Sequence, residues 1–161
     1  MGNQGMIFAK CFNKNTWEFL NNPSRSFEDD LRMISLAHAS YIHWCEEGTN
    51  VHQQRGLWLL ARVYTVIEYP KQALLYANQC EYLTQTFKGE MMDFDLAYAK
   101  EGLARANALA GNKTAAEEHL LEAETLGDWI QNAEDKEIFT GDLEGGNWFG
   151  IKRGKPKFCH G

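Results

Sequence analysis

The chain has 161 residues, of which 44% are hydrophobic and 24% are charged, and its formal net charge is −6. Leu and Ala each occur 16 times, whereas Val occurs 3 times and Ile 7 times, so residues that favour helices outnumber those that favour strands. This balance excludes a large β-sheet, and the many aromatic residues exclude a disordered chain. The length suits one compact all-α domain.

Caps, breaks and apolar spacing predict a succession of helices. Residues 1–13 are expected to be an irregular lead-in because of their glycines, and a short helix follows over 15–21. Ser26 and Asp29 form a capping-box pattern that opens a longer helix to about Glu47. The same signals predict five further helices, over 52–68, 70–87, 93–110, 113–127 and 133–143.

The charges are unevenly distributed along the chain. Residues 1–150, interpreted as one helical repeat domain, carry 12 basic and 22 acidic side chains. Residues 151–161 carry four basic side chains and no acidic one, and are predicted to be a flexible basic tail. Because an acidic body repels phosphate backbones, nucleic acid is not expected as a partner.

The cysteines and the terminus bear on metals and on location. The four cysteines form no C-x-x-C pair and no zinc spacing. We therefore expect reduced thiols in a cytoplasmic protein, with no metal and no cofactor. No signal-peptide pattern occurs at the N-terminus, and no apolar run has the length that a bilayer requires, so no contact with a membrane is expected.

Two segments of the chain are similar when it is shifted by 43 residues. They are Leu60–Leu83 and Leu103–Leu126, and each contains a helix, a short turn and a second helix. The identical pairs are Leu60 and Leu103, Ala61 and Ala104, Arg62 and Arg105, Ala73 and Ala116, Glu81 and Glu124, and Leu83 and Leu126. The helices of residues 26–127 are therefore interpreted as a repeat array, with a degenerate first copy.

These segments resemble the tetratricopeptide repeat (TPR) family, in a variant with a long period. The first copy carries that likeness in Leu60, Ala61, Tyr64, Ala73, Ala77 and Cys80, and the second in Leu103, Ala104, Gly111, Ala116, Leu120 and Ala123. Three positions depart from the family pattern: Leu57 and Lys100 stand where it has Trp, and Asn107 where it has an aromatic residue. The chain also resembles a group of uncharacterised bacterial proteins that share patches such as His38-Ala39-Ser40, Arg55-Gly56-x-Trp58 and Asp93-Phe94-Asp95.

The resemblance implies a right-handed α-solenoid of about three antiparallel helix pairs, with the last short helix as a C-terminal cap. Stacked pairs leave a concave groove lined by the first helix of each pair. The groove would be a binding site for a protein or peptide with acidic groups or a C-terminal carboxylate, and no catalysis is expected. Its candidate residues are Arg55, Trp58, Arg62, Asp95, Tyr98, Glu101 and Arg105.

Arg62 and Arg105 occupy equivalent repeat positions, and two interpretations of them stay open. Two guanidinium groups on neighbouring helices could grip one carboxylate of a ligand. Alternatively, Glu101 neutralises Arg105 or Arg62, and Trp58 belongs to the core. In the first case, replacing both arginines by Ala would abolish binding at nearly unchanged stability, whereas in the second it would destabilise the fold.

Two other functions remain possible from the sequence. One is a small-molecule sensor or enzyme with a pocket near His38, His43 and Asp95. The other is a structural homodimer whose groove is filled by its own tail. No H-x-x-x-H or H-E-x-x-H spacing supports a metal at the histidines.

Overall fold

A computed structural model describes residues 3–153, and these residues form α-helices without any strand. The helices are α1 (Gln4–Leu20), α2 (Phe27–Glu47), α3 (Asn50–Val66), α4 (Pro70–Thr86), α5 (Asp93–Leu109), α6 (Lys113–Asp128) and α7 (Ala133–Glu144). The prediction of an all-α fold is confirmed. Most of the predicted basic tail, residues 154–161, lies outside the described residues.

Neighbouring helices pack in pairs. The most extensive contacts join α1 to α2, α3 to α4, and α5 to α6, each with its successor in the chain. Alternate helices also touch, since α3 packs against α5, and α5 packs against α7. Helices α3, α5 and α7 therefore lie side by side in a row.

The N-terminal segment differs from the prediction. Residues 1–13 were expected to be irregular, but α1 begins at Gln4 and continues without a break to Leu20. Its small residues mark close packing on α2: the Ala9 carbonyl accepts a hydrogen bond of 2.8 Å from Ser40 Oγ, and a Cβ on Gly5 would lie 2.6 Å from the Glu47 carboxylate. The glycine here serves helix contact rather than chain irregularity.

Local signals account for the ends of the other helices. Ser26 and Asp29 form the predicted capping box, with both side-chain bonds to backbone N–H groups present. Gly111 has φ +82° just after α5, in the left-handed region that favours glycine at a helix C-terminus. Such caps depend on residues close in sequence, which is why the sequence predicts these boundaries well.

The core is centred on α3 and α5. One cluster joins Met33 of α2 to Leu60 and Val63 of α3 and to Leu103 of α5. A second cluster joins α5 and α6 to the C-terminal elements. Its large members are Leu120 of α6, Ile130, Phe139 and Leu143 of α7, and Trp148. This second cluster holds α7 and the coil after it against the end of the helix row.

Candidate functional site

An open pocket of about 430 Å³ lies between alternate helices, and we call it the aromatic pocket. Side chains of α1, α3, α5 and α7 line it, so it lies on the face that the first helices of the pairs share. The lining residues are Asn13, Trp17, Gln54, Arg55, Trp58, Leu59, Phe94, Asp95, Tyr98, Ile138 and Asp142. Four aromatic rings thus stand in the wall, and charged groups stand among them.

Arg55 and Asp95 form an ion pair in this wall. Arg55 Nε and Nη2 donate to the two oxygens of Asp95 at 2.8 and 3.1 Å, in the bidentate geometry that suits a guanidinium and a carboxylate. Asp95 is buried and also accepts from the Met92 backbone N–H at 2.9 Å, whereas the Arg55 side chain is 44% exposed. The guanidinium carbon also lies 5.1 Å from the centre of the Phe94 ring. Arg55 therefore keeps part of its cationic surface open to a ligand.

Trp58 connects the pocket to a buried carboxylate. Its indole N–H donates to Glu101 Oε2 at 2.9 Å, and its ring stacks on Trp17 at 5.8 Å between ring centres. The indole lies close to α5 at Gly102, where a Cβ would approach to 3.3 Å. The ring is half-buried, with one part in the fold and another in the pocket.

Tyr98 is the aromatic residue between Trp58 and α7. Its ring meets Trp58 edge-on at 5.2 Å, and its hydroxyl donates to the exposed carboxylate of Asp142. Burial, followed by the hydrogen bond and the charge of Asp142, raises the pKa of Tyr98 well above its usual range. The hydroxyl therefore stays protonated and keeps Asp142 at the pocket.

Arg105 lies beyond the pocket in a buried network with Glu101. Its Nε donates to Glu101, and its two terminal nitrogens donate to the backbone carbonyl oxygens of Asp142, Gly145 and Asn147 at 2.7 to 3.2 Å. Its guanidinium carbon is 4.1 Å from the centre of the Trp148 ring. Arg105 is 1% exposed, so it holds the chain after α7 and does not face the pocket.

Arg62 shares Glu101 with Arg105 but is less tightly held. Its Nη1 lies 3.7 Å from Glu101 Oε1, and its side chain is 22% exposed. Both arginines are therefore paired with Glu101, as one of the two interpretations from the sequence expected. Neither Arg62 nor Arg105 lines the aromatic pocket.

A second pocket, of about 350 Å³, adjoins the first and is named here the basic pocket. Its lining residues are Lys10, Asn13, Trp44, His52 and Arg55, so it contains three basic side chains and no acidic one. Asn13 and Arg55 line both pockets. The two pockets therefore share part of their walls.

His52 is held rigidly at the basic pocket. Its Nδ1 accepts from the Thr49 backbone N–H at 3.1 Å, which completes a capping box at the start of α3, and its ring stacks on Trp44 at 4.4 Å. Burial lowers the pKa of His52, and the positive charges of Arg55 and Lys10 lower it further. An anion in the pocket would offset those charges.

The structure gathers four of the predicted residues in one pocket and leaves others apart. Arg55, Trp58, Asp95 and Tyr98 line the aromatic pocket, and Arg62, Glu101 and Arg105 form the adjoining network.

The two histidines of the alternative sensor or enzyme site, His38 and His43, do not line the aromatic pocket. His38 Nε2 lies 2.8 Å from the Tyr64 hydroxyl, and His43 packs on Phe8 and Phe12 of α1. Asp95 is the only one of the three proposed residues that lines the aromatic pocket. The described residues contain no group of three or more His, Cys, Asp or Glu side chains that could hold a metal ion.

Sequence reasoning missed the residues that α1 and α7 contribute. Lys10, Asn13 and Trp17 are spaced by 3 and 4 residues, which is the spacing of one helical face and a usable signal. The irregular lead-in assigned to residues 1–13 concealed that spacing. Ile138 and Asp142 are also spaced by four, but only the docking of α7 shows that this face meets the pocket.

Comparisons with known proteins add no identity. No protein-family model matches the chain, and neither does any curated protein or solved structure. Within residues 3–153, none of the helices combines the length and apolar character needed to cross a bilayer. The fold and the geometry of the two pockets therefore carry the functional argument.

Proposed function

We propose that this protein is a binding module of TPR-like architecture that captures a peptide or protein through a carboxylate group. In this proposal the helix pairs form a right-handed α-solenoid, α7 caps its C-terminal end, and the two pockets lie on the concave face. The module acts in the cytoplasm, without catalysis and without nucleic acid or membrane as partner. The observation that carries the proposal is the basic pocket beside the aromatic pocket in an otherwise acidic body.

The chemistry of the basic pocket favours an anion. Lys10, His52 and Arg55 line it with the amide of Asn13, and no acidic side chain lines it. Lys10 is a compact, mobile cation, whereas Arg55 has a planar group fixed by Asp95. A carboxylate between them gains charge-assisted hydrogen bonds from two directions.

The aromatic pocket supplies the remaining contact. Trp17, Trp58, Phe94 and Tyr98 are each half-buried, so they offer apolar area that the fold already holds in place. Rigid aromatic side chains lose little conformational entropy on binding and often dominate the energy of an interface. An adjoining residue of the ligand would therefore occupy this pocket while its carboxylate occupies the basic pocket.

The test titrates the full chain with acetylated tripeptides of the form acetyl-Gly-Gly-Xaa. Each is prepared as the free acid and as the C-terminal amide, and binding is followed by the fluorescence of Trp17 and Trp58. The acid should bind about tenfold more tightly than the amide, since the amide lacks the charge. Equal affinities of acid and amide for every peptide would contradict the proposal.

Lys10→Gln supplies the matching variant. It should weaken binding of the acids about fivefold and leave the amides unchanged. Lys14→Gln is the control, because Lys14 lies one turn further along α1, is exposed, and lines neither pocket. A similar loss in both variants would point to the overall charge of α1 rather than to the basic pocket.

A further inference from the structure

We propose that the aromatic pocket binds a cationic group, an ammonium or a guanidinium, on the same ligand whose carboxylate lies in the basic pocket. This inference rests on the proposed function and specifies its ligand class: a chain terminus whose last residue has a positively charged side chain. Three features of the aromatic pocket lead to it.

The first feature is the electronic state of two rings. Trp58 donates its indole N–H to Glu101, and Tyr98 donates its hydroxyl to Asp142. Donation of a ring's proton to a carboxylate polarises the ring and makes its face more negative. The faces of Trp and Tyr attract cations through this negative potential. The faces of both rings therefore attract a cation more strongly than they would without these hydrogen bonds.

The second feature is the carboxylate of Asp142. It is exposed at the pocket, is held there by Tyr98, and makes no ion pair with any residue in 3–153. By contrast, the other carboxylate in the wall, Asp95, is already neutralised by Arg55. Asp142 therefore leaves a negative charge at the α7 side of the pocket for a ligand cation to meet.

The third feature is a contact of the same kind within the protein. The Arg55 guanidinium lies 5.1 Å over the Phe94 ring, beside a carboxylate that pairs with it. A ligand cation over Trp58 or Tyr98 beside Asp142 would repeat that arrangement on the opposite side of the pocket. The Arg55 side would then hold the ligand's negative end, and the Asp142 side its positive end.

These charges also fix the direction of the ligand. Asn13 and Arg55 line both pockets, so the carboxylate and the cation can belong to one residue that spans the boundary. A reversed ligand would place its cation against Lys10 and Arg55 and its carboxylate against Asp142. Like charges at both ends disfavour that orientation.

The experiment compares two tripeptides by calorimetric titration of the full chain. They are acetyl-Gly-Gly-Lys and acetyl-Gly-Gly-norleucine, both with free carboxylates, and norleucine keeps the aliphatic chain but lacks the ammonium group. The lysine peptide should bind about tenfold more tightly. Tetramethylammonium alone, detected by tryptophan fluorescence, should also bind weakly, because it needs only the aromatic pocket.

Asp142→Asn tests the location of the cation. The Oδ1 of Asn can still accept the Tyr98 hydrogen bond at this exposed position, so the fold should change little, and the variant should reduce the preference for lysine to about threefold or less. Glu137→Gln is the matched control, since it removes the same charge from an exposed position on α7 that does not line the pocket. The control should keep the full preference.

The outcomes separate this inference from the proposed function. Equal binding of the two acids overturns the cation site and leaves carboxylate capture standing. A lysine preference that Asp142→Asn does not reduce also overturns the assignment to this pocket. If neither peptide binds but tetramethylammonium does, and Asp142→Asn weakens it, the cation site stands and the proposed function fails. If no probe binds, both are overturned.

Discussion

Arg55 and Arg105 lie at opposite ends of the same face and are both paired with a carboxylate of α5, yet they have different roles. The Arg55 side chain is 44% exposed, lines two pockets, and among residues 3–153 forms an ion pair with Asp95 alone. Arg105 is 1% exposed and bonds to Glu101 and to three backbone carbonyl oxygens. One pair forms the wall of an open site, and the other closes the end of the fold. Coverage by later elements of the chain therefore decides whether such a pair is buried in the fold or stays at an open pocket.

The largest effect that would sharpen this contrast concerns stability. Arg105→Ala should lower the free energy of unfolding by about 3–5 kcal/mol, because Glu101 remains buried with its main partner removed. Arg55→Ala should cost less, about 1–2 kcal/mol, because the buried Asp95 carboxylate keeps the Met92 N–H and water can enter the half-exposed place of the lost guanidinium. Urea unfolding of the two variants measures both values. Equal costs would break the contrast and show that the network at Arg105 is not structural.

The next largest effect on stability concerns the packing of α7 against α6. A Cβ on Gly127 of α6 would lie 2.4 Å from the buried Phe139 ring of α7. Gly127→Ala should therefore displace α7 and cost about 1–3 kcal/mol of unfolding free energy. Gly141→Ala is the control, because no atom lies within 4 Å of that Cβ and Ala favours a helix interior by up to about 1 kcal/mol. Thermal unfolding should show opposite shifts, and a shared direction would mean that the two helices do not pack closely there.

The smallest expected effect is the dependence of the unfolding free energy on pH, to which His52 at the basic pocket contributes. Burial lowers the pKa of His52 and of His38 below the ordinary 6.5, so the unfolded chain takes up protons at a higher pH than the native protein does. Stability is therefore fully present above about pH 6.5 and declines as the pH falls below it. His52→Gln removes one titrating group while Gln can still complete the capping box with Thr49. Unfolding free energies at about pH 7.5 and 5.5 should differ less in this variant than in the wild type; an unchanged difference would exclude His52 as a source.

Local patterns made most of the helix boundaries predictable. The helix predicted over 113–127 is Lys113–Asp128, and the one over 133–143 is Ala133–Glu144. Capping residues, turn glycines and a 3–4 apolar spacing act over a few residues, so one sequence shows them directly. The error at residues 1–13 came from Gly5, whose missing side chain serves the contact with Glu47 of a different helix.

The site was only partly predictable for a related reason. Arg55, Trp58, Asp95 and Tyr98 could be found because they form spaced stripes on two repeat-related helices. Their neighbours Lys10, Trp17 and Asp142 come from the two ends of the described chain, too far away in sequence to share a local pattern with them. Long-range pairing depends on how helices dock, and residue spacing within a helix does not contain that information.

The sequence by itself determined the helical class, most of the helix boundaries after α1, and the supply of arginines and carboxylates at regular spacing. Only the tertiary structure decided which arginine would be buried, because Arg62 and Arg105 occupy the same place in the repeat. Arg105 is covered by the chain that follows α7 and is 1% exposed, whereas Arg62 lies farther from Glu101, at 3.7 Å, and its side chain is 22% exposed. Burial removes water from a charge and obliges the protein to satisfy it, so the arginine at this repeat position is a fully paired structural element in one copy and a partly exposed side chain in the other.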